Sequence, residues 1–427
     1  MKKVRDEYKM TELGEIPSEW HIEVLGECSN VTKLAGFEFT EYMEYIDDGE
    51  IIALRALNLK NGKLNLEDIK KIDKKVSESL TRSKLYINDV LFSYVGTVGE
   101  VALIEENDKF HLAPNVAKLT FNDSVVPKFA LQYLMSSNMR NEINRYVTTT
   151  SQPALSMENI RKLKIIVPKK EEQEKISFIL STVDEQIDNV DALIEKNKEL
   201  KKGLMQTLLI KGIGHTKFKK TEIGEIPEEW ELESMNKIVT STQLGTNTLG
   251  KENEKIPMLK MGNLTIGGFD FNKLEYISEE ELEMNKEYIL SNGDFLFNTR
   301  NTLELVGKSA VWNSQIDKAI FNSNIMRIKY CSKINDFYMG YYFSSDIGWK
   351  QLKSISTGTT SVAAIYTKDL MKIKVIIPSI GEQEKIVSIL LEVDKKIEEY
   401  ENKKQKLEEL KKGLMQQLLT GMIRVTV

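Results

Sequence analysis

The stretch from Glu172-Gln173-Glu174-Lys175-Ile176 to Lys201-Lys202-Gly203-Leu204-Met205-Gln206 recurs as Glu382-Gln383-Glu384-Lys385-Ile386 to Lys411-Lys412-Gly413-Leu414-Met415-Gln416. The offset is 210 at both ends (382 − 172 and 416 − 206), so no net gap separates the copies. Apolar residues fall at Ile176, Leu180, Val183, Ile187, Val190, Ile194, Leu204 and Leu208 in the first copy. In the second they fall at Ile386, Leu390, Val393, Ile397, Tyr400, Leu407, Leu414 and Leu418. This 4-3 alternation is the seam of a coiled coil rather than the broad face of a globular helix. At 1.5 Å per residue each helix would run roughly 60 Å, longer than an ordinary core. Each therefore needs a partner, and the other copy is the natural one. Asn197, Lys201, Lys404 and Lys411 interrupt the seams, where polar residues commonly fix register at some cost in stability.

Ile165-Ile166-Val167 and Val375-Ile376-Ile377 each precede a proline and read as buried strands. Ser379 and Glu382 have capping-box spacing, and Glu171, Glu172 and Glu174 put negative charge on a first helical turn, so the Glu-Gln-Glu-Lys segments are expected to act as caps. Upstream, Thr11-Glu12-Leu13-Gly14-Glu15-Ile16-Pro17-Ser18-Glu19-Trp20 recurs as Thr221-Glu222-Ile223-Gly224-Glu225-Ile226-Pro227-Glu228-Glu229-Trp230. The chain is thus two copies of one unit: a lead-in, a variable body and a long helix. Residues 1–162 and 213–372 hold the bodies, with lead-ins at 11–24 and 221–234. Residues 163–212 and 373–427 each supply a strand and a long helix. The bodies match only in outline: Asp89-Val90-Leu91-Phe92-Ser93 aligns with Asp294-Phe295-Leu296-Phe297-Asn298, and Arg55-Ala56-Leu57-Asn58-Leu59 with Lys260-Met261-Gly262-Asn263-Leu264. Their short apolar runs, broken by Gly, Asn and Asp, predict strands, loops and short helices over 129–147 and 336–355.

With 427 residues, 41% hydrophobic and 29% charged, the chain can bury two to four domain cores. No stretch reads as a membrane span or secretory leader, and Cys28 and Cys331 are too few for a disulfide framework, so the cytoplasm is the expected location. The net charge of −5 weighs against an isolated DNA-binding domain, which is usually basic.

Catalytic chemistry is not evident. His21, His111 and His215 have no partners at ligand or triad spacing. No two prolines are adjacent, which excludes the Asn/Asp-Pro-Pro-Tyr/Phe motif of an adenine methyltransferase. Gly307-Lys308-Ser309 resembles the end of a P-loop, but Thr302 stands where that motif needs glycine. Gly96-Thr97-Val98-Gly99 reads as a tight turn. No metal site is expected. What remains is recognition. The first body's candidates are Arg55, Asn58, Lys60, Ser93, Tyr94, Thr97 and the run Thr148, Thr149, Thr150, Ser151 and Gln152. The second body's are Lys260, Asn263, Thr299, Arg300, Asn301, Asn322, Asn324 and the run Thr357, Gly358, Thr359, Thr360 and Ser361. Arg and Lys suit guanine, Asn and Gln suit adenine, and hydroxyls with loop amides hold phosphates.

The duplicated lead-ins and helices, together with Asp89-Val90-Leu91-Phe92-Ser93-Tyr94-Val95-Gly96-Thr97-Val98-Gly99, Ser151-Gln152-Pro153-Ala154-Leu155 and the variant Asn298-Thr299-Arg300-Asn301, resemble the specificity subunit of Type I restriction–modification systems. The likeness covers essentially the whole chain, although 359–365 lacks the Gln-Pro of the first body. It implies an α+β protein with two α/β target recognition domains, each reading half of a bipartite, asymmetric site on double-stranded DNA. The long helices would form an antiparallel coiled coil that sets the spacer. Two modification subunits, which bind S-adenosylmethionine and methylate adenine, would dock on the helices and recognition domains, and motor-nuclease restriction subunits would join them. Ile176, Leu180, Val183, Ile187, Ile386, Leu390, Val393 and Ile397 are the candidate subunit interface. No cofactor is expected in this chain and no membrane association. The competing reading is a non-catalytic coiled-coil scaffold joining two protein- or ligand-binding modules.

Overall fold

In the computed structural model, which describes residues 5–148, 152–252 and 254–426, the chain forms two compact units. One comprises Met1–Asp191 with Asn402–Val427, and the other Ala192–Glu401. Both divisions fall inside a long helix, Lys170–Lys211 of 42 residues or Ile380–Leu418 of 39 residues. Each unit therefore holds one half of each helix.

Within each unit the same sequence of elements appears. The lead-in is a hairpin, Tyr8–Thr11 with Gly14–Pro17 and Phe218–Thr221 with Gly224–Pro227. Gly14 (φ 110°) and Gly224 (φ 122°) make the turn in a conformation that a side chain would strain. The next strands, His21–Val24 and Glu231–Ser234, pair antiparallel with Lys164–Val167 and Lys374–Ile377. The prolines that follow, Pro168 and Pro378, free the chain to start the long helices.

Each body carries a four-stranded antiparallel sheet in the same order. In the first unit it runs Val101–Leu103, Val90–Ser93, Val116–Phe121 and Ser29–Lys33. In the second it runs Ser309–Val311, Phe295–Asn298, Ile325–Tyr330 and Val239–Leu244. A three-stranded sheet accompanies each, with one parallel pair, Ile51–Leu54 beside Phe110–Leu112 or Ile256–Leu259 beside Ile320–Phe321. The helical regions expected at 129–147 and 336–355 are each two helices. Pro127–Leu134 and Ser137–Tyr146 are divided at Ser136, whose hydroxyl accepts the Met139 N–H, and Asp336–Ser344 and Asp346–Ile355 at Ser345, which caps Gly348.

The long helices are sewn into these cores at their ends. In the first unit Ile176, Leu180, Leu418 and Leu419 pack with Trp20, Phe92, Phe129 and Tyr133. In the second, Ile386, Leu390, Leu208 and Leu209 pack with Trp230, Phe295, Phe297 and Tyr338. Four of the residues expected to face partner subunits are thus core residues of this chain, and Val393 and Ile397 are also buried. Val183 and Ile187 are half-buried. A 4-3 stripe specifies burial without saying what covers it, and here the chain covers much of it itself.

Between the ends, the two helices run antiparallel. In the first unit Asp184 meets Lys411 at 2.6 Å and Asp191 meets Lys404 at 2.7 Å. In the second, Lys201 meets Asp394 at 2.6 Å and Lys198 meets Glu401 at 3.6 Å. The lysines interrupting the seam are therefore ion-paired across it and discriminate one register from its neighbours. Asn197 does not share that role, because its amide donates to the Leu193 carbonyl of its own helix. Asp184→Lys is expected to lower the first unit's melting temperature by about 2–4 °C, equivalent to about 1 kcal/mol, with recovery on adding Lys411→Asp. A double variant no more stable than Asp184→Lys alone, measured by calorimetry, would make the pair incidental.

The Glu-Gln-Glu-Lys segments do more than cap. The Glu172 carboxylate, 1% exposed, accepts the Trp20 indole N–H at 2.9 Å and the Arg424 Nε–H at 2.7 Å. Glu382 accepts the Trp230 indole N–H at 2.8 Å and the Ile213 N–H at 3.0 Å, and lies 2.9 Å from His215 Nε2. Its side chain is turned to these partners, so the expected capping box with Ser379 does not form; only the backbone turn from the Glu382 N–H to the Ser379 carbonyl does. Gln173 and Gln383 extend the clamp. Their amides donate to the carbonyls of Ser124 and Pro168, or of Lys333 and Pro378, and accept the N–H of Val126 or Asn335. Lead-in, body and helix are thereby locked together once per unit.

Candidate nucleic-acid interface

Candidate residues leave matching strand ends in the two bodies. In the first, the chain passes from Ser93 to Tyr94, whose N–H donates to the Asn115 carbonyl at 3.0 Å. In the second it passes from Asn298 to Thr299, whose N–H donates to the Asn324 carbonyl at 3.0 Å. Neighbouring segments close on these exits. Leu155 donates to the Tyr94 carbonyl, and the Gly96 N–H to Pro153. In the second body Arg300–Asn301, Ala363–Ala364 and Thr357–Gly358 form a small antiparallel sheet, and Leu303 donates to Thr360. The second body therefore gathers Arg300, Asn301, Asn324, Thr359, Thr360 and Ser361 into one loop cluster. Asn322 adjoins it, its Oδ1 accepting the Asn324 N–H at 3.2 Å. The first body gathers Tyr94, Thr97, Thr148 and Gln152 similarly; Thr149, Thr150 and Ser151 lie outside the described residues.

Several candidates are internal struts instead. Asn58 is fully buried: its Oδ1 accepts the Arg55 N–H, and its amide donates to the Asn65 and Asp68 carbonyls. Asn263 makes the equivalent bonds to Lys260, Asp270 and Lys273. Ser93 is buried, donating to the Thr97 carbonyl and accepting the Glu100 N–H. Thr299 is nearly buried and bonds the Asn324 carbonyl at 3.0 Å. A buried polar group must be paired, and these are paired within the fold. Their side chains hold the fold together and are not presented to a ligand.

The charged candidates divide. Arg55 is held by Asp68 at 2.9 Å and Lys260 by Glu275, whereas Arg300 is exposed and makes no ion pair among the described residues. Lys60 and Thr97 line a groove of about 910 Å³ in the first unit, where Asp184, Asp188 and Asp191 of the long helix balance the lysines. Such a groove suits a phosphate less well than the loop cluster does. Burial holds the Tyr94 phenol above its usual range, so its hydroxyl stays protonated. Asn115 was not apparent from sequence because the offset between bodies drifts from 205 at Tyr94 and Thr299 (299 − 94) to 209 at Asn115 and Asn324 (324 − 115). Among the described residues no group of three His, Cys, Asp or Glu side chains is placed to hold a metal ion, and no helix is long and apolar enough to cross a membrane.

Two copies of a constant frame, each presenting a different polar loop cluster from the same strand ends, define a duplicated reader. Residues 17–200 and 227–409 match the Type I restriction modification DNA specificity domain, and the chain belongs to that family. It is 30% identical to the type I restriction enzyme MjaX specificity subunit of Methanocaldococcus jannaschii, over 98% of this chain and 97% of that one. It is 22% identical to the EcoKI specificity subunit of Escherichia coli, over 88% of this chain and 82% of that one. The fold is that of the Type I restriction–modification S subunit from M. genitalium, with a TM-score of 0.58, 16% identity and 97% of both chains covered.

Proposed function

We propose that this chain is the non-catalytic DNA specificity subunit of a Type I restriction–modification complex, each unit reading one half of a bipartite asymmetric site. The observation that carries the reading is the family match in both units, coupled to a constant clamp around divergent loop clusters. The frame repeats because each half-site demands the same mounting; the loops differ because the half-sites do. Antiparallel helices continuous from one unit into the other supply the spacer. In this reading two modification subunits provide S-adenosylmethionine and adenine methylation, restriction subunits complete the assembly, and the complex works in the cytoplasm. The chain itself takes no cofactor. Its net charge of −5 fits a subunit whose partners share the phosphate contacts.

Arg300→Ala, assembled with its methyltransferase subunits, is expected to relax one half-site and leave the other unchanged. Each lost base contact corresponds to about 1–3 kcal/mol of discrimination. Methylation mapping of the variant gives the result directly. Equal loss at both half-sites, or none at either, would count against one reader per unit.

A further inference from the structure

The hairpin that pairs with Arg300 turns over residues 359–362. There the Thr359 N–H donates to the Val362 carbonyl at 2.8 Å and the Val362 N–H to Thr359 Oγ1 at 3.3 Å. All four residues are exposed. Three carry hydroxyls; the fourth, Val362, is apolar and 68% exposed. A selection of candidates by hydrogen-bonding capacity passes over it. The sheet fixes where it points. Ala363, 1% exposed, faces the core, so its neighbours Val362 and Ala364 face outward. Ala364 pairs directly with Arg300, and residues opposite one another in an antiparallel pair share a face. Val362 therefore stands on the same outer face as Arg300, as a diagonal neighbour roughly 7–8 Å away.

The first unit has the same construction. Ala154 bridges Val95 on one side and Thr148 on the other, as Ala364 bridges Arg300 and Thr357. Two residues before these alanines stand Gln152 and Val362, at the frame's offset of 210 (362 − 152), and both are exposed. Opposite the alanines stand Val95 and Arg300. The two units thus place one apolar and one hydrogen-bonding side chain at these two positions, in opposite order. A change of chemistry at a fixed place on the presented face is what unlike half-sites require. On the base edges of the major groove the apolar feature is the C5-methyl group of thymine. A valine pressed on an amino or carbonyl edge would strip that group of water and return no hydrogen bond. We propose that Val362 is a specificity-determining residue, packing on the C5-methyl of a thymine in the second unit's half-site. Its spacing from Arg300 puts that thymine about two base pairs, at 3.4 Å each, from the base that Arg300 contacts. The inference rests on the DNA-reading function proposed above and deepens it.

The test uses the assembled specificity–methyltransferase complex and duplexes carrying its mapped site. In the half-site that Arg300→Ala relaxes, each thymine is replaced in turn by deoxyuridine, which removes only the C5-methyl group. One replacement is expected to weaken wild-type binding roughly threefold to fivefold, the worth of one buried methyl group. Val362→Ala should bind the thymine duplex more weakly by a similar factor and lose nothing further on that replacement, because both changes remove the same contact. Val362→Ile should keep the sensitivity to the methyl group. The melting temperature of Val362→Ala should hold, since the side chain removed is exposed. A half-site without a thymine whose methyl group matters, or a deoxyuridine penalty as large in Val362→Ala as in wild type, would overturn the assignment. Failure of the wild-type complex to prefer its mapped duplex would instead overturn the DNA-reading function itself.

Discussion

Glu172→Ala is expected to destabilise the first unit by about 3–4 kcal/mol, the largest stability loss foreseen for a single side chain in the frame. Its carboxylate is 1% exposed and is the acceptor for the fully buried Trp20 indole. Alanine would leave that N–H unpaired, open a void beside the ring, and release the C-terminal segment held through Arg424. The Arg424 share is smaller because its side chain is 39% exposed and therefore screened by solvent. Glu172→Gln retains an acceptor for the indole and should lose only about 1 kcal/mol. Glu382→Ala should damage the second unit comparably, since Glu382 holds Trp230, Ile213 and His215. Denaturant unfolding resolves these cases; a Glu172→Ala chain as stable as wild type would mean that the indole bond contributes nothing net.

The second large effect concerns spacing. One heptad inserted into each long helix, between Asp191 and Ala192 and between Glu401 and Asn402, falls where the contacts of the two units divide. Each unit keeps its own ion pairs and core, and the heptad period keeps the seam in phase. Seven residues add roughly 10 Å of helix, which is about three base pairs at 3.4 Å each. The methylated motif should retain both half-sites and gain a longer spacer. Altered half-sites with the original spacer would show that the helices are not the ruler.

Much of this was legible in the sequence because repetition exposes a frame. The 210-residue offset linking Trp20 to Trp230 and Glu172 to Glu382 marks the parts that do the same job twice. What it did not reveal is that these parts bond to each other. An indole and a carboxylate far apart in sequence carry no periodic signal, so Glu172 and Glu382 read as helix-cap residues. The same limit affected the site. Asn58 and Asn263 look like base-reading amides by residue type, but the backbone folds around them and uses every bond they offer. Arg300 stays exposed at the loop, whereas the Asn301 amide donates to Asn298 Oδ1 and accepts the Thr302 N–H. The difference lies in burial, which depends on the strand ends that converge there. Seam residues such as Ile176 and Leu390 show the complementary limit, since the pattern fixes an apolar stripe and tertiary packing decides what meets it.

The most direct measurement is single-molecule mapping of adenine methylation in cells expressing the partner methyltransferase subunit, with and without this chain. The account predicts a bipartite motif, with two unlike half-sites and a fixed unspecified spacer, that appears only when this chain is present. An identical methylome in both cases, with the complex shown to be assembled, would contradict it.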